Sequence, residues 1–174
     1  GITSQIPSNE VVEEDSPGSL RFDNWMDVTA SEYEVSDEVG DISHLRFMVN
    51  LKTLNIPDAS NIMDYSVLYN MPSIENLTIR NAEELEDIGF LSSLVNLQYL
   101  NIEGSRIDDL SILEDNLSIT ELVLENNEEL SDYTFLDNLP SLKKLKLTTT
   151  QGALIPDFSQ HKFLTDININ GETK

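Results

Sequence analysis

The chain contains no cysteine. That excludes a disulfide framework, a thiol nucleophile and a Cys-based zinc site, and it suits a cytosolic protein and a disulfide-free exported bacterial one equally. Basic residues are scarce: 10 Lys and Arg stand against 32 Asp and Glu, for a formal net charge of −22. Such a chain repels a phosphate backbone, which argues against nucleic acid or an anionic membrane surface as a general partner. Aromatic residues make up 7% against 39% apolar overall, so the core of this 174-residue chain must be built from aliphatic side chains. No apolar run approaches the roughly 20 residues that a membrane-spanning helix needs. No basic-then-apolar leader opens the sequence, so an exported chain would have shed one.

Chemistry-bearing motifs are missing as well. There is no glycine-rich phosphate loop, no G-x-S-x-G and no H-E-x-x-H. The two histidines, His44 and His161, fall at opposite ends of the patterned region and cannot pair. An enzyme is not expected, and neither a cofactor nor a metal is implied. The stretch over residues 1–19 is polar and acidic and is punctuated by Pro7, Pro17 and Gly18, the composition of a flexible tether.

What is present is a period. The triplets Leu51-Leu54-Ile56, Ile74-Leu77-Ile79, Leu97-Leu100-Ile102, Ile119-Leu122-Leu124, Leu142-Leu145-Leu147 and Leu164-Ile167-Ile169 have middle members 23, 23, 22, 23 and 22 residues apart. A second frame runs between them: Val39-Gly-Asp41, Ile62-Met-Asp64, Leu85-Glu-Asp87, Ile107-Asp-Asp109, Leu130-Ser-Asp132 and Ile155-Pro-Asp157. Each triplet alternates apolar with polar residues, as a strand with one wet face does, and each Asp is followed by apolar positions that suit a turn on the far side of a shared core. Those positions are Ile42, Tyr65, Ile88, Leu110, Tyr133 and Phe158, then Val67, Phe90, Ile112 and Phe135. One such unit cannot bury its own apolar row, and stacking units about 4.8 Å apart makes the row continuous.

The repeated LxxLxL followed by I/L-x-D resembles the leucine-rich repeat family, in the 22-residue class of bacterial internalin-like proteins, over about residues 28–170. The resemblance implies an α/β solenoid with a concave parallel β-sheet and short 3-10 or loop segments on the convex side. It also implies one domain over residues 20–174, with a cap over about 20–38 and repeats over about 39–174. Two departures from the family pattern stand out. The corner position usually given to a buried Asn holds Ala59, Ala82, Ser105, Asn127 and Thr150, so backbone groups there must find neighbouring carbonyls or water, and the corner should be less regular. The last copy, "TTTQGALIPDFSQHKF", is longer before Asp157, as terminal repeats often are. At the other end, subtracting one period from Ile56 places a degenerate first strand on Val28, Ser31 and Tyr33, with Phe22, Trp25 and Met26 covering the stack. A short capping helix from Asp23 is the competing reading.

The aligned aspartates are expected to cap turns by accepting backbone N–H groups, since catalysis would not need one per turn. The strings "NAEELED" and "NNEELSD" lack a calcium-loop pattern and read as a solvated edge, with Arg106 laddered between Glu84 and Glu129. The sequons at Asn76 and Asn116 matter only in a glycosylating source. This leaves the outward strand positions. There Tyr99, Asn101, Glu121 and Val123 sit mid-array, flanked by Arg80 on one side and by Lys144 and Lys146 on the other. These seven form the candidate partner-binding face, an aromatic anchor beside a local positive spot that would suit an acidic or hydroxyl-rich surface. The expected molecule is a non-catalytic, monomeric binding module, secreted or attached to a bacterial surface or envelope, that holds a protein or glycan on its concave sheet. A cytosolic regulatory scaffold of the same fold is the alternative.

Overall fold

The computed structural model describes residues 29–114 and 116–173. The expected tether over residues 1–19, the cap residues Phe22, Trp25, Met26 and Val28, and a capping helix from Asp23 lie outside the described residues. Each of the six apolar triplets runs into a strand, and one strand precedes them: β1 (Glu32–Glu34), then β2 (Thr53–Ile56), β3 (Asn76–Ile79), β4 (Tyr99–Glu103), β5 (Glu121–Glu125), β6 (Lys144–Leu147) and β7 (Asp166–Ile169) pair in parallel in chain order. A short β8 (Glu172–Thr173) folds back antiparallel on β7. The register sets Leu54, Leu77, Leu100, Leu122, Leu145 and Ile167 side by side. Leu77, Leu100 and Leu122 are fully buried, and Ile167, on the last parallel strand, is half-buried. A one-residue slip would turn this row to solvent, so burial itself holds the register.

The first strand corrects the expected frame by two residues. Tyr33 pairs with Leu54 rather than with Ile56, which makes Ala30, Tyr33 and Val35 the inward set. Sliding the frame in this way buries Val35 and leaves Ser31 exposed, and an apolar side chain inside outweighs a constant repeat length.

The convex side is a row of 3-10 turns at Ser43–Phe47, Ser66–Asn70, Gly89–Ser93, Ser111–Leu113, Thr134–Asn138 and Phe158–Gln160. Each is opened by an aspartate whose Oδ1 accepts a backbone N–H two residues on. Ser43 N donates to Asp41 at 2.7 Å, Ser66 to Asp64 at 2.8 Å, Gly89 to Asp87 at 2.8 Å, Ser111 to Asp109 at 2.7 Å, Thr134 to Asp132 at 2.9 Å and Ser159 to Asp157 at 3.1 Å. The repeated aspartates therefore pin turns, as their spacing predicts. Behind them Ile42, Tyr65, Ile88, Leu110 and Tyr133 are buried, as are Phe90 and Phe135. Ile112 departs from this row: it is 37% exposed, while Leu113 beside it is buried like its counterparts Leu45, Leu68, Leu91 and Leu136. Among the described residues, no helix is long and apolar enough to cross a membrane.

Where the convex side turns back toward the sheet, Val49, Val95 and Leu117 are exposed at 71%, 63% and 71%. Their strip is held by a ladder of side chains, each donating to a carbonyl of the preceding turn. Ser73 Oγ reaches Val49 O at 3.2 Å, Asn96 Nδ2 reaches Pro72 O at 2.9 Å, Ser118 Oγ reaches Val95 O at 3.3 Å and Ser141 Oγ reaches Leu117 O at 2.7 Å. Single polar side chains thus bridge neighbouring turns that backbone bonds alone do not join here. The longer final copy is also put to use: Leu154 N donates to Ser131 O and Tyr133 N to Leu154 O, both at 2.8 Å.

Candidate concave binding face

Parallel pairing lines the outward side chains of the sheet into columns. One reads Thr53, Asn76, Tyr99, Glu121, Lys144, Asp166, and the next reads Asn55, Thr78, Asn101, Val123, Lys146, Asn168. Arg80 and Glu103 extend β3 and β4 into a third column, beside Glu125. All seven expected site residues therefore share one face across β3 to β6, and they are neighbours.

The local positive spot does not survive as free charge. Lys144 Nζ lies 3.4 Å from Glu121, Lys146 Nζ 2.9 Å from Glu125 on a diagonal, and Arg80 Nε 3.6 Å from Glu103. Each cation is answered by a carboxylate one strand away, where cross-strand neighbours lie within reach of long side chains. Glu103 also accepts from Asn126 Nδ2 at 3.3 Å. Glu103 and Glu125 thus share this face with the cations they pair with. Their column position, one period from Arg80 and diagonal to Lys146, was the signal that could have found them.

Asn101 is the second surprise. Its strand position faces outward, yet it is 4% exposed, and its Oδ1 is sealed from solvent without a hydrogen-bond partner among the described residues. Thr78 and Val123 flank it in register, with Tyr99 and Glu103 two residues away on the same strand and face. A shallow hollow of about 250 Å³ opens further along the sheet, over β5 to β7, lined by Glu121, Val123, Lys144, Lys146, Asp166 and Asn168.

Other candidate chemistry stays apart. His44 packs edge-on against Tyr33 at 5.7 Å between ring centroids, and its Nε2 has no hydrogen-bond partner among the described residues. His161, at the other end, faces Asp137 at 3.6 Å. On the acidic edge Arg106 pairs with Glu86 at 2.8 Å and Glu129 at 3.2 Å, so Glu86 takes the place expected for Glu84. The Glu129 hydrogen bond first, then the charge of Glu86, hold its guanidinium above the usual arginine value. Among the described residues, no three His, Cys, Asp or Glu side chains are grouped to hold a metal.

Neither a protein-family model nor a curated protein sequence matches the chain. Solved structures do. Internalin C2 of Listeria monocytogenes superposes with a TM-score of 0.61 at 23% identity, over 76% of this chain and 57% of that one. An internalin, InlF, of the same species gives 0.56 at 23% identity, over 75% of this chain and 44% of that one. A leucine-rich repeat protein of Leptospira interrogans gives 0.60 at 19%, over 74% and 33%. This chain thus spans little more than half of the first of these structures. The fold is a leucine-rich repeat solenoid of the internalin-like kind.

Proposed function

We propose that this solenoid is a non-catalytic binding module that holds a macromolecular partner, protein or glycan, on its concave sheet and works outside the cell or in the bacterial envelope. The observation that carries the reading is the face itself. Seven in-register parallel strands present columns of polar side chains on a backbone that stacking makes rigid, the extended surface that solenoids use for recognition. Tyr99 and Val123 sit near its middle, within a belt of ion-paired side chains. The internalin-like fold supports the envelope or exported location. The residues assigned to contact are Arg80, Tyr99, Asn101, Glu121, Val123, Lys144 and Lys146, with Glu103 and Glu125 added as their charge partners.

A photo-crosslinking residue placed at Val123 on the concave sheet, or at Ile112 on the convex side, tests this on intact cells and shed envelope material. Adducts formed from position 123 and absent from position 112 are expected. Adducts from position 112 alone, or release of the partner by Val95→Asp while Tyr99→Ala retains it, would move the binding surface off the sheet.

A further inference from the structure

Resting on the concave-sheet reading, we propose that the partner is an uncharged, polyhydroxylated chain, a neutral glycan, laid across β3 to β6 with Asn101 at its centre. Charge is the first argument. In a chain of net charge −22, the face balances across β3 to β6, where Arg80, Lys144 and Lys146 stand against Glu103, Glu121 and Glu125, paired at 3.6, 3.4 and 2.9 Å, and Asp166 on β7 adds one carboxylate beyond them. A cationic or anionic partner gains one half of such a pair only by displacing the other. A hydroxyl donates and accepts at once, so it bridges carboxylate and ammonium without parting them.

The second argument is what the face lacks. The large exposed apolar side chains of the described residues, among them Phe47, Val49, Met63, Val95, Leu117 and Phe163, all lie off the strands. Protein interfaces concentrate their energy in Trp, Tyr and Arg anchors set into desolvated pockets, and on this face Arg80 is tied to Glu103. Here only Tyr99 and Val123 offer partly buried apolar surface. The hollow that Val123 lines, one strand from Tyr99, is about 250 Å³, below the roughly 300–1,000 Å³ of enclosed small-molecule pockets. It suits one ring of a longer chain lying on the sheet, whose neighbouring ring would stack on Tyr99 one strand away.

Asn101 is the third. A buried amide oxygen left unpaired is unfavourable, and of the unpaired buried atoms among the described residues Asn101 Oδ1 is the one on the concave face. A hydroxyl that parts the covering side chains supplies the missing donor, Tyr99 and Glu103 lying two residues away on the same strand and Val123 beside Asn101 in register.

The test uses the purified chain on immobilised neutral gluco-, manno-, galacto- and N-acetylglucosamine oligosaccharides, beside sulfated glycans and lysine-rich and glutamate-rich peptides. At least one neutral glycan should be retained, with affinity changing less than about twofold from low to high salt, since no net charge is being screened. Tyr99→Ala should weaken retention by about tenfold through loss of ring contact. Asn101→Leu should weaken it comparably while its melting temperature stays level or rises, because the substitution removes an unpaired buried group. Val95→Asp should leave retention unchanged. Retention of no neutral glycan, retention of the charged ligands alone with steep salt dependence, or undiminished binding by the folded Tyr99→Ala protein each overturns the proposal. If neutral glycans fail while adducts still form from position 123, the glycan assignment falls and the concave face stands.

Discussion

The corner that follows each strand is built in two ways within one stack. At Ala59 and Ala82 it is made of backbone alone: Ala59 N donates to Arg80 O at 2.8 Å and Ala82 N to Glu103 O at 3.3 Å. One turn further it is made of side chains: Ser105 N and Oγ donate to Asn127 Oδ1 at 2.9 and 2.7 Å, and Asn127 Nδ2 donates to Ile102 O at 3.0 Å. Small apolar residues let one turn's amide reach the next turn's carbonyl directly. A buried polar residue takes that space only by supplying a full set of partners. The core tyrosines repeat the lesson. The Tyr133 hydroxyl donates to Thr148 O at 3.4 Å, whereas the Tyr65 hydroxyl, at the same place in its repeat, has no hydrogen-bond partner among the described residues, and burial pushes its pKa up to about 12.

The comparison presumes one apolar spine beneath both corners, and the largest effect should come from breaking it. Leu100 is fully buried between Leu77 and Leu122. Leu100→Ala should cost about 2–5 kcal/mol by denaturant unfolding, and a loss below about 1 kcal/mol would mean that the two corners fold independently of the spine.

The next test sets the corners against each other. Asn127→Ala strands the Ser105 donors and the Ile102 carbonyl, so it should cost about 2–3 kcal/mol, given about 1–3 kcal/mol for each buried group left unpaired. Its mirror, Ala82→Asn, has no partner set waiting and should destabilise rather than stabilise. If Ala82→Asn raised the melting temperature, the backbone corner would be a defect and not an alternative solution.

Smaller effects sharpen the contrast by showing what does not differ. Asp87 and Asp109 cap turns beside the two corner types with near-equal bonds, 2.8 and 2.7 Å. Their alanine variants should each cost about 1 kcal/mol, and asparagine or serine should recover most of it. Unequal losses would tie capping to corner chemistry. Among the same family of turns, the backbone N–H groups of Ser43 and Ser66 hold the Asp41 and Asp64 carboxyls below their ordinary value, and the hydroxyl of Thr134 does so for Asp132. Their contribution is present above the unfolded pKa of about 3.9 and is lost as pH falls through the lower folded values. Acid titration of the melting temperature should therefore decline below that point, and less steeply in Asp64→Asn. The smallest difference belongs to the tyrosines: Tyr65→Phe should be neutral or mildly stabilising, while Tyr133→Phe should lose about 0.5–1.5 kcal/mol with its hydrogen bond.

Most of the fold was legible because burial and period are written residue by residue. The Leu and Ile triplets name the strands, and the aspartates name the turns. The misreadings have local causes. The frame of β1 depended on Tyr33 and Val35 competing with a constant repeat length, and the column of Ile112 is filled unevenly, with Phe90 and Phe135 buried and Ile112 37% exposed. The site was legible only as a face. Its columns follow from strand alternation, but the pairing of Lys146 with Glu125 is diagonal, and Arg106 chose Glu86 over Glu84.

By itself the sequence determined the period, the inward and outward faces of each strand, the capped turns and the aliphatic core, because each rests on side-chain polarity at fixed spacing along the backbone. Only the tertiary structure decided which long side chains meet across neighbouring turns, that Asn101 is closed over while lying on the wet face, and that the apparent positive spot is a neutral belt. Those outcomes depend on the approach of residues about one repeat apart and on the directions their side chains take once stacked, neither of which a one-dimensional pattern contains.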